Sequence, residues 1–222
     1  MNKIIVIAPH PDDETLGCGG TLLKHKYQGD EINWVILTNI SQVEGWSQEK
    51  VHNRQLEIDN VAKTYGFNSV EKLDFPTTQL DTIPMSNLIG KISKFISKIE
   101  PHTIYLNFHN DVHTDHQMAF QAVMSCTKNF RYPFIRRILM YETLSETEFA
   151  PTLTGHEFKP NVFVDITDFL DKKIEIMKIY KSEVMEPPYP RSLSVLEAFA
   201  KYRGSRIGVE YAESFMLLYE QL

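Results

Sequence analysis

Lys3 to Ala8 is a short run with almost no polar interruption, and it has none of the alternation of a half-exposed strand. A run of this kind is a strand buried on both faces, which places it inside a parallel sheet covered by helices. The pattern that follows agrees. Thr15 to Tyr27 reads as a helix rich in small residues, and Ile32 to Thr38 as a second strand. Gln48 to Tyr65 is helical, with Val51, Leu56, Val61, Ala62 and Tyr65 among its apolar positions, and Gly66 stops it. Val70 to Phe75 is a third strand, Asn87 to Ile99 a helix before Pro101, Thr103 to Phe108 a fourth strand, and Asp115 to Thr127 a further helix. Strand and helix in strict turn predict an α/β fold with a mostly parallel sheet and right-handed crossovers.

The last third is less regular. Ile138 to Tyr141 and Val162 to Ile166 read as strands, Thr167 to Lys181 as a helix, and Val195 to Tyr202 as a second helix. Glu186 to Arg191 contains Pro187, Pro188 and Pro190 and reads as a loop, either a lid or a subunit contact. Glu213 to Tyr219 fits a strand or a helix. The expected organisation is one domain over residues 1–222, with an irregular C-terminal extension.

Composition narrows the class. Hydrophobic residues are 42% of the 222, enough for a core, and the formal net charge is -6. A nucleic-acid binder carries a basic excess, so that class is set aside. Two cysteines, Cys18 and Cys126, make neither a metal pair nor a disulfide framework, and a reducing cytoplasm is the simpler reading. The N-terminus turns polar too soon for a signal peptide, and no apolar run approaches the ~18 residues of a spanning helix.

Two polar clusters carry the chemistry. His10-Pro11-Asp12-Asp13-Glu14 follows strand one, and His109-Asn110-Asp111-Val112-His113-Thr114-Asp115-His116 follows strand four. Open α/β sheets bind ligands at the carboxyl ends of their strands, so the topology sends both clusters to one rim. Two imidazoles and a carboxylate hold a divalent ion with a position left for water, and a carboxylate that is not a ligand takes the water's proton. The adjacent acids Asp12, Asp13 and Glu14 can divide these roles. Taken alone, an Asp-Asp after a strand is a helix N-cap and a single His is ordinary packing. Four of the eight histidines (His10, His109, His113 and His116) fall in these clusters, which favours the metal reading. The glycines at Gly17, Gly19 and Gly20 lack the dinucleotide-binding spacing and read as close helix-to-sheet packing.

Ala8-Pro9-His10-Pro11-Asp12-Asp13-Glu14-Thr15-Leu16-Gly17-Cys18-Gly19-Gly20 resembles the opening motif of the PIG-L/LmbE-like deacetylases, zinc enzymes acting on N-acetylated sugars and glycosides. His113-Thr114-Asp115-His116 resembles their second motif. Arg54-x-x-Glu57, Phe163 to Thr167, Tyr180-Lys181-Ser182-Glu183 and Tyr211-Ala212-Glu213-Ser214-Phe215 resemble later landmarks in the same order. The resemblance implies a Rossmann-like fold and zinc, or another divalent transition metal, on His10, Asp13 and His116. It implies Asp12 as the base and His113 as oxyanion stabiliser (protonated in that role) or general acid. Asp111 or Asp115 orients a histidine, and Arg54 contacts substrate. The implied partner is a small N-acetylated amino sugar, glycoside or nucleotide sugar, and the implied assembly is a homo-oligomer. Thr114 replaces the usual proline, Thr77-Thr78 an acidic-glycine pair, and Glu183 a common glutamine.

Substrate contacts are expected among residues at loops and strand ends. Tyr141 and Glu142 are the leading pair because they end a strand near the same rim; Trp46, His52, Tyr189 and Arg191 are weaker candidates. A non-haem iron oxygenase shares the two-His, one-carboxylate set but favours β-barrels. A zinc amidase for a non-sugar amide, or a silent sugar-binding member, would also carry parts of this pattern.

Overall fold

The computed structural model describes residues 1–153 and 155–222. The elements run β1 (Lys3–Ala8), α1 (Asp13–Tyr27), β2 (Glu31–Asn39), α2 (Gln48–Tyr65), β3 (Ser69–Pro76), α3 (Met85–Ile99) and β4 (Thr103–Asn107). They continue with α4 (Thr114–Met124), β5 (Arg137–Tyr141), β6 (Val162–Asp165), α5 (Leu170–Met177), α6 (Leu193–Ser205) and β7 (Ala212–Glu220). All seven strands form one sheet in the order β3-β2-β1-β4-β5-β7-β6. β1 pairs in parallel with both β2 and β4, which explains its apolar sequence.

Side chains alternate across β1. Ile5 and Ile7 face a layer with Leu88, Ile92, Phe95 and Ile96 of α3 and Ala119, Ala122 and Val123 of α4. Ile4, Val6 and Ala8 face Leu22 of α1, Ile58 and Val61 of α2, and Leu196 of α6. Helix α2 begins where the Ser47 side chain accepts from the Lys50 amide, and ends at Gly66, whose φ of 70° is the left-handed conformation glycine favours.

The last third departs from expectation. It is not an irregular extension: β5 continues the parallel set beside β4, and β7 and β6 complete the sheet in antiparallel fashion. The 213–219 segment is therefore strand. The helix expected over 167–181 is a 3-10 turn at Thr167–Phe169 followed by the shorter α5, and the chain beyond Met177 turns away from helix.

The close packing of α1 is visible atom by atom. A Cβ on Gly17 would lie 2.2 Å from the Tyr141 ring, and one on Gly20 would lie 2.8 Å from Ile166. α1 also breaks at Cys18 (φ -144°, ψ 22°). The second half then exposes the amides of Gly20 and Thr21, which donate to the Glu213 carboxylate at 2.8 and 2.7 Å. Lys173 donates to Glu213 at 2.7 Å and to the Leu16 carbonyl at 3.0 Å. A buried ion pair thus satisfies both sides of the break. Lys173→Met should leave Glu213 buried and unpaired and lower stability by about 3–5 kcal/mol. Urea denaturation measures this, and a loss under about 1 kcal/mol would contradict the assignment.

Candidate active site

β1 and β4 are parallel neighbours, so the chain leaves both at the same edge of the sheet. From β1 it passes through Pro9 to Asp12 into α1; from β4 it passes through Phe108 to His113 into α4. His10, Asp13 and His116 meet in the crevice. His10 Nδ1 is 3.5 Å from Asp13 Oδ2, His116 Nε2 is 3.3 Å from the same oxygen, and the two nitrogens are 3.3 Å apart. A tetrahedral ion with bonds of 2.0–2.1 Å needs ligand atoms about 3.3–3.4 Å from one another. The triangle has that size, so these three could hold a divalent metal.

The outer nitrogen of each imidazole has its own carboxylate. His10 Nε2 is 3.0 Å from Asp115 Oδ2, and His116 Nδ1 is 2.8 Å from Asp111 Oδ2. Such partners fix ring orientation at metal sites. The acids are pinned in turn: Asp115 accepts the Thr78 and Leu80 amides at 2.7 and 2.9 Å, and Asp111 accepts the Thr147 hydroxyl at 2.6 Å. A second set, His10, His113 and Asp115, also brings ligand atoms within 4.8 Å. Its Asp115 carboxylate is already saturated by two amides and His10, so the first set is the better cation site.

The electrostatics agree. Burial pulls the His10 pKa down, but the Asp115 and Asp13 carboxylates outweigh it and raise it to about 9. His116 is raised well above the usual value, since Asp13 and Asp111 together outweigh its burial. Burial would raise Asp13, yet His116 and His10 hold it below the usual carboxylate range. Charge of both signs is trapped here in a small volume, and a cation would displace the imidazole protons.

Asp12 differs from its neighbour. It is buried with φ 132° and ψ -26°, a conformation that costs a non-glycine residue about 1–3 kcal/mol. Its amide donates to Glu14 Oε2 at 3.1 Å, and Oδ2 has no hydrogen-bond partner among the described residues. Burial and the adjacent Asp13 charge raise its pKa to about 7, against the pull of Arg191 and Arg54. Glu14 turns inward, accepting the Thr15 hydroxyl at 2.6 Å and the Tyr180 hydroxyl at 2.8 Å. The three consecutive acids therefore point to three environments.

His113 caps α4, and its Nδ1 accepts the Asp115 amide at 3.1 Å. That bond leaves the ring proton on Nε2. Burial, with the charges of His10 and His116, lowers its pKa to about 4. With Nδ1 accepting, the ring in the chain alone is held neutral, with Nε2–H as its donor.

Arg54 borders the crevice over the site, and its nitrogens are also engaged within the chain. Arg54 donates to the Pro11 carbonyl at 3.1 Å, pairs with Glu183, and places Nε 3.8 Å from Glu57. Glu57 accepts the Ser182 amide and hydroxyl at 3.1 and 2.7 Å. The Arg54-x-x-Glu57 and Tyr180-to-Glu183 motifs thus fasten α2 to the segment after α5. Tyr141 is fully buried and donates to the Ile7 carbonyl at 2.8 Å. Glu142 is buried, accepting Arg203 through Nε and Nη2 at 2.8 and 2.6 Å and the Ser214 hydroxyl at 2.5 Å. Both were expected on the rim; their polar atoms are instead consumed by the interior.

A cavity of about 230 Å³ opens over His10, Asp12, Asp13 and His113, with Trp46, Thr143, Glu183 and Arg191 on its walls. Among these, Thr143 carries no signal in the sequence. Arg191 carries only its place after a proline-rich loop. His109, His52 and Tyr189 do not border the cavity.

Among the described residues no helix is long and apolar enough to cross a membrane. The PIG-L family model, described as GlcNAc-PI de-N-acetylase, matches residues 5–127. The diacetylchitobiose deacetylase of Thermococcus kodakarensis is 26% identical over 96% of this chain and 82% of its own length. A protein of Bacillus cereus named probable N-acetyl-alpha-D-glucosaminyl L-malate deacetylase 2 is 23% identical over 81% of this chain and 83% of its own. Among solved structures, the conserved protein TT1542 from Thermus thermophilus superposes with a TM-score of 0.79 at 26% identity, covering 100% of this chain and 97% of the other. More than half of the chain, including both polar clusters, lies within the family match, and the chain belongs to the PIG-L family of deacetylases, hydrolases of the amide C–N bond.

Proposed function

We propose that this protein is a zinc-dependent N-deacetylase that removes acetyl from an N-acetylated amino sugar, small glycoside or nucleotide sugar. The observation that carries this reading is the His10–Asp13–His116 triangle, with edges of 3.3 to 3.5 Å, beside the unpartnered Asp12 oxygen. The names of the relatives, a chitobiose and a glucosaminyl-malate deacetylase, support a sugar substrate. Zinc suits two imidazoles and one carboxylate, and when bound it supplies Lewis-acid polarisation and a water acidified to near pH 7.

The side chains do the rest. Asp12 takes a proton from the water as its oxygen attacks the acetamide carbon. The neutral His113 donates through Nε2–H to the carbonyl oxygen as it gains charge, a contact worth about 3 kcal/mol in comparable sites. The Asp12 carboxyl then passes its proton to the sugar nitrogen as the C–N bond breaks, giving the amine and acetic acid, whose proton moves to the amine to leave acetate and the ammonium form. Desolvation raises the Asp12 pKa into the range that suits a general base.

Three outcomes are expected. The protein binds one divalent ion per chain; chelation abolishes acetate release and zinc restores it, while His116→Ala loses the ion as measured by elemental analysis. Metal retention by that variant would contradict the ligand assignment. Asp12→Ala keeps the ion but loses about 10²–10⁴ in kcat, and a near-normal rate would remove Asp12 from the role of base. The third concerns pH. Asp12 must be ionised to accept a proton, so kcat/KM falls as pH drops through its pKa. That value is about 7 in the chain alone, and a neighbouring cation lowers it, so the acid limb lies at or below pH 7. A kcat/KM that keeps rising below pH 5 would rule this out.

A further inference from the structure

The cavity over the metal triangle is bordered by four carboxylate residues: Asp12, Asp13, Glu146 and Glu183. Three of them have work already. Asp13 belongs to the triangle, Asp12 stands as the base, and Glu183 pairs with Arg54 and Arg191. Glu146 has none of these roles. It is half-buried, and its Oε1 accepts the Ser145 hydroxyl at 3.2 Å. Its Oε2 has no hydrogen-bond partner among the described residues, yet it is not one of the partnerless atoms closed off from solvent. A solute in the cavity can therefore reach it.

The loop after β5 divides its residues between two hollows. Ser145 and Glu146 border the cavity over the metal triangle, whereas Leu144, Thr147 and Glu148 border a separate one. The turn that divides them is strained: Ser145 has a φ of 78°, which costs a non-glycine residue about 1–3 kcal/mol. Its neighbours hold it there. The Ser145 amide donates to Glu148 Oε1 at 2.7 Å, and the Glu146 amide donates to the Thr143 carbonyl at 3.1 Å. The Glu146 carbonyl accepts the amide of Val112, the residue before His113, at 3.2 Å. Thr147, one residue on, is the hydroxyl that fixes Asp111 behind His116. Glu146 is thus fastened by its backbone to both halves of the His113–His116 cluster, while its carboxylate keeps a free oxygen.

A carboxylate accepts hydrogen bonds and donates none, so its partner must be a donor. Ligand sites fix orientation with a few such polar groups placed on a rigid wall. We propose that Glu146 is a specificity-determining residue of the substrate site, its carboxylate accepting a hydroxyl of the N-acetyl sugar while the acetamide lies over His10, Asp13 and His116. This assignment rests on the sugar-deacetylase reading. It explains why a strained turn sets an acidic side chain on the wall of this cavity without giving it an arginine, as Glu183 has.

The test compares wild type, Glu146→Gln and Glu146→Ala in acetate release from N-acetylglucosamine, its β-1,4 dimer and their single-deoxy analogues. The wild type should favour the parent sugar over one particular deoxy analogue by about 10- to 100-fold in kcat/KM, as for a hydrogen bond to a charged group. Glu146→Gln keeps an oxygen acceptor without the charge, and should retain about 2- to 10-fold of that preference. Glu146→Ala should lose it altogether. Both variants should keep the wild-type preferences at every other hydroxyl, and elemental analysis should find the same zinc content in all three proteins. Unchanged discrimination at every hydroxyl in the two variants would overturn the Glu146 assignment alone. So would zinc loss, or an equal fall on every sugar, in Glu146→Gln, since either marks a residue acting through the metal cluster. Acetate release from none of the sugars by the wild type would overturn the sugar reading and the assignment with it.

Discussion

Asp13 stands between two imidazoles, and much of the surrounding structure serves to keep those three side chains facing one another. Its Oδ2 is 3.5 Å from His10 Nδ1 and 3.3 Å from His116 Nε2, and it also accepts the His10 amide at 2.7 Å. The two rings arrive from strands β1 and β4, which are adjacent only because of the crossover between them. Behind each ring an aspartate sets its rotation, and behind each aspartate a backbone amide or a threonine hydroxyl sets the aspartate. Without a cation this cluster traps protons on His10 and His116; with one, the same geometry is a ligand set.

A second lock governs Asp12. Its positive φ is held by the Glu14 carboxylate, which is itself held by Thr15 and Tyr180, while Thr15 reaches Tyr65 at 3.0 Å. Arg54 grips the Pro11 carbonyl one residue earlier. Residues from α2 and from the segment after α5 thus meet on a single tripeptide. Strain at one residue is stable when the neighbours over-determine it, and here hydrogen bonds from both sides do so. The break in α1 at Cys18, closed by Lys173 and Glu213, lets the same helix start beneath the site and still pack its glycines against Tyr141 and Ile166.

What was legible in the sequence was local or repetitive. Helix α2 runs from Gln48 to Tyr65, where apolar spacing and Gly66 put it, and β1 is the doubly buried strand its composition implies. The placement of both polar clusters at one edge followed from parallel topology. What was not legible depended on long-range pairing. β6 and β7 join the sheet through antiparallel contacts that no local period reports, so the last third read as an extension. Tyr141 and Glu142 end a strand near the site, but their direction is set by Gly17, Arg203 and Ser214, residues remote in sequence. The neutral state of His113 depends on an N-cap bond that only three-dimensional geometry displays. Arg191 shows no motif; its place on the cavity wall is set by the fold.

We propose that a divalent ion sits on His10, Asp13 and His116, beside and not upon Asp12. Anomalous diffraction at the zinc edge, from crystals grown with one equivalent of zinc, tests it most directly. The expected result is one peak per chain at about 2.0–2.2 Å from His10 Nδ1, an Asp13 oxygen and His116 Nε2, with Asp12 outside bonding distance. A peak bound by His113 and Asp115, one that takes Asp12 as a ligand, or none at this triangle would rule out this ligand set.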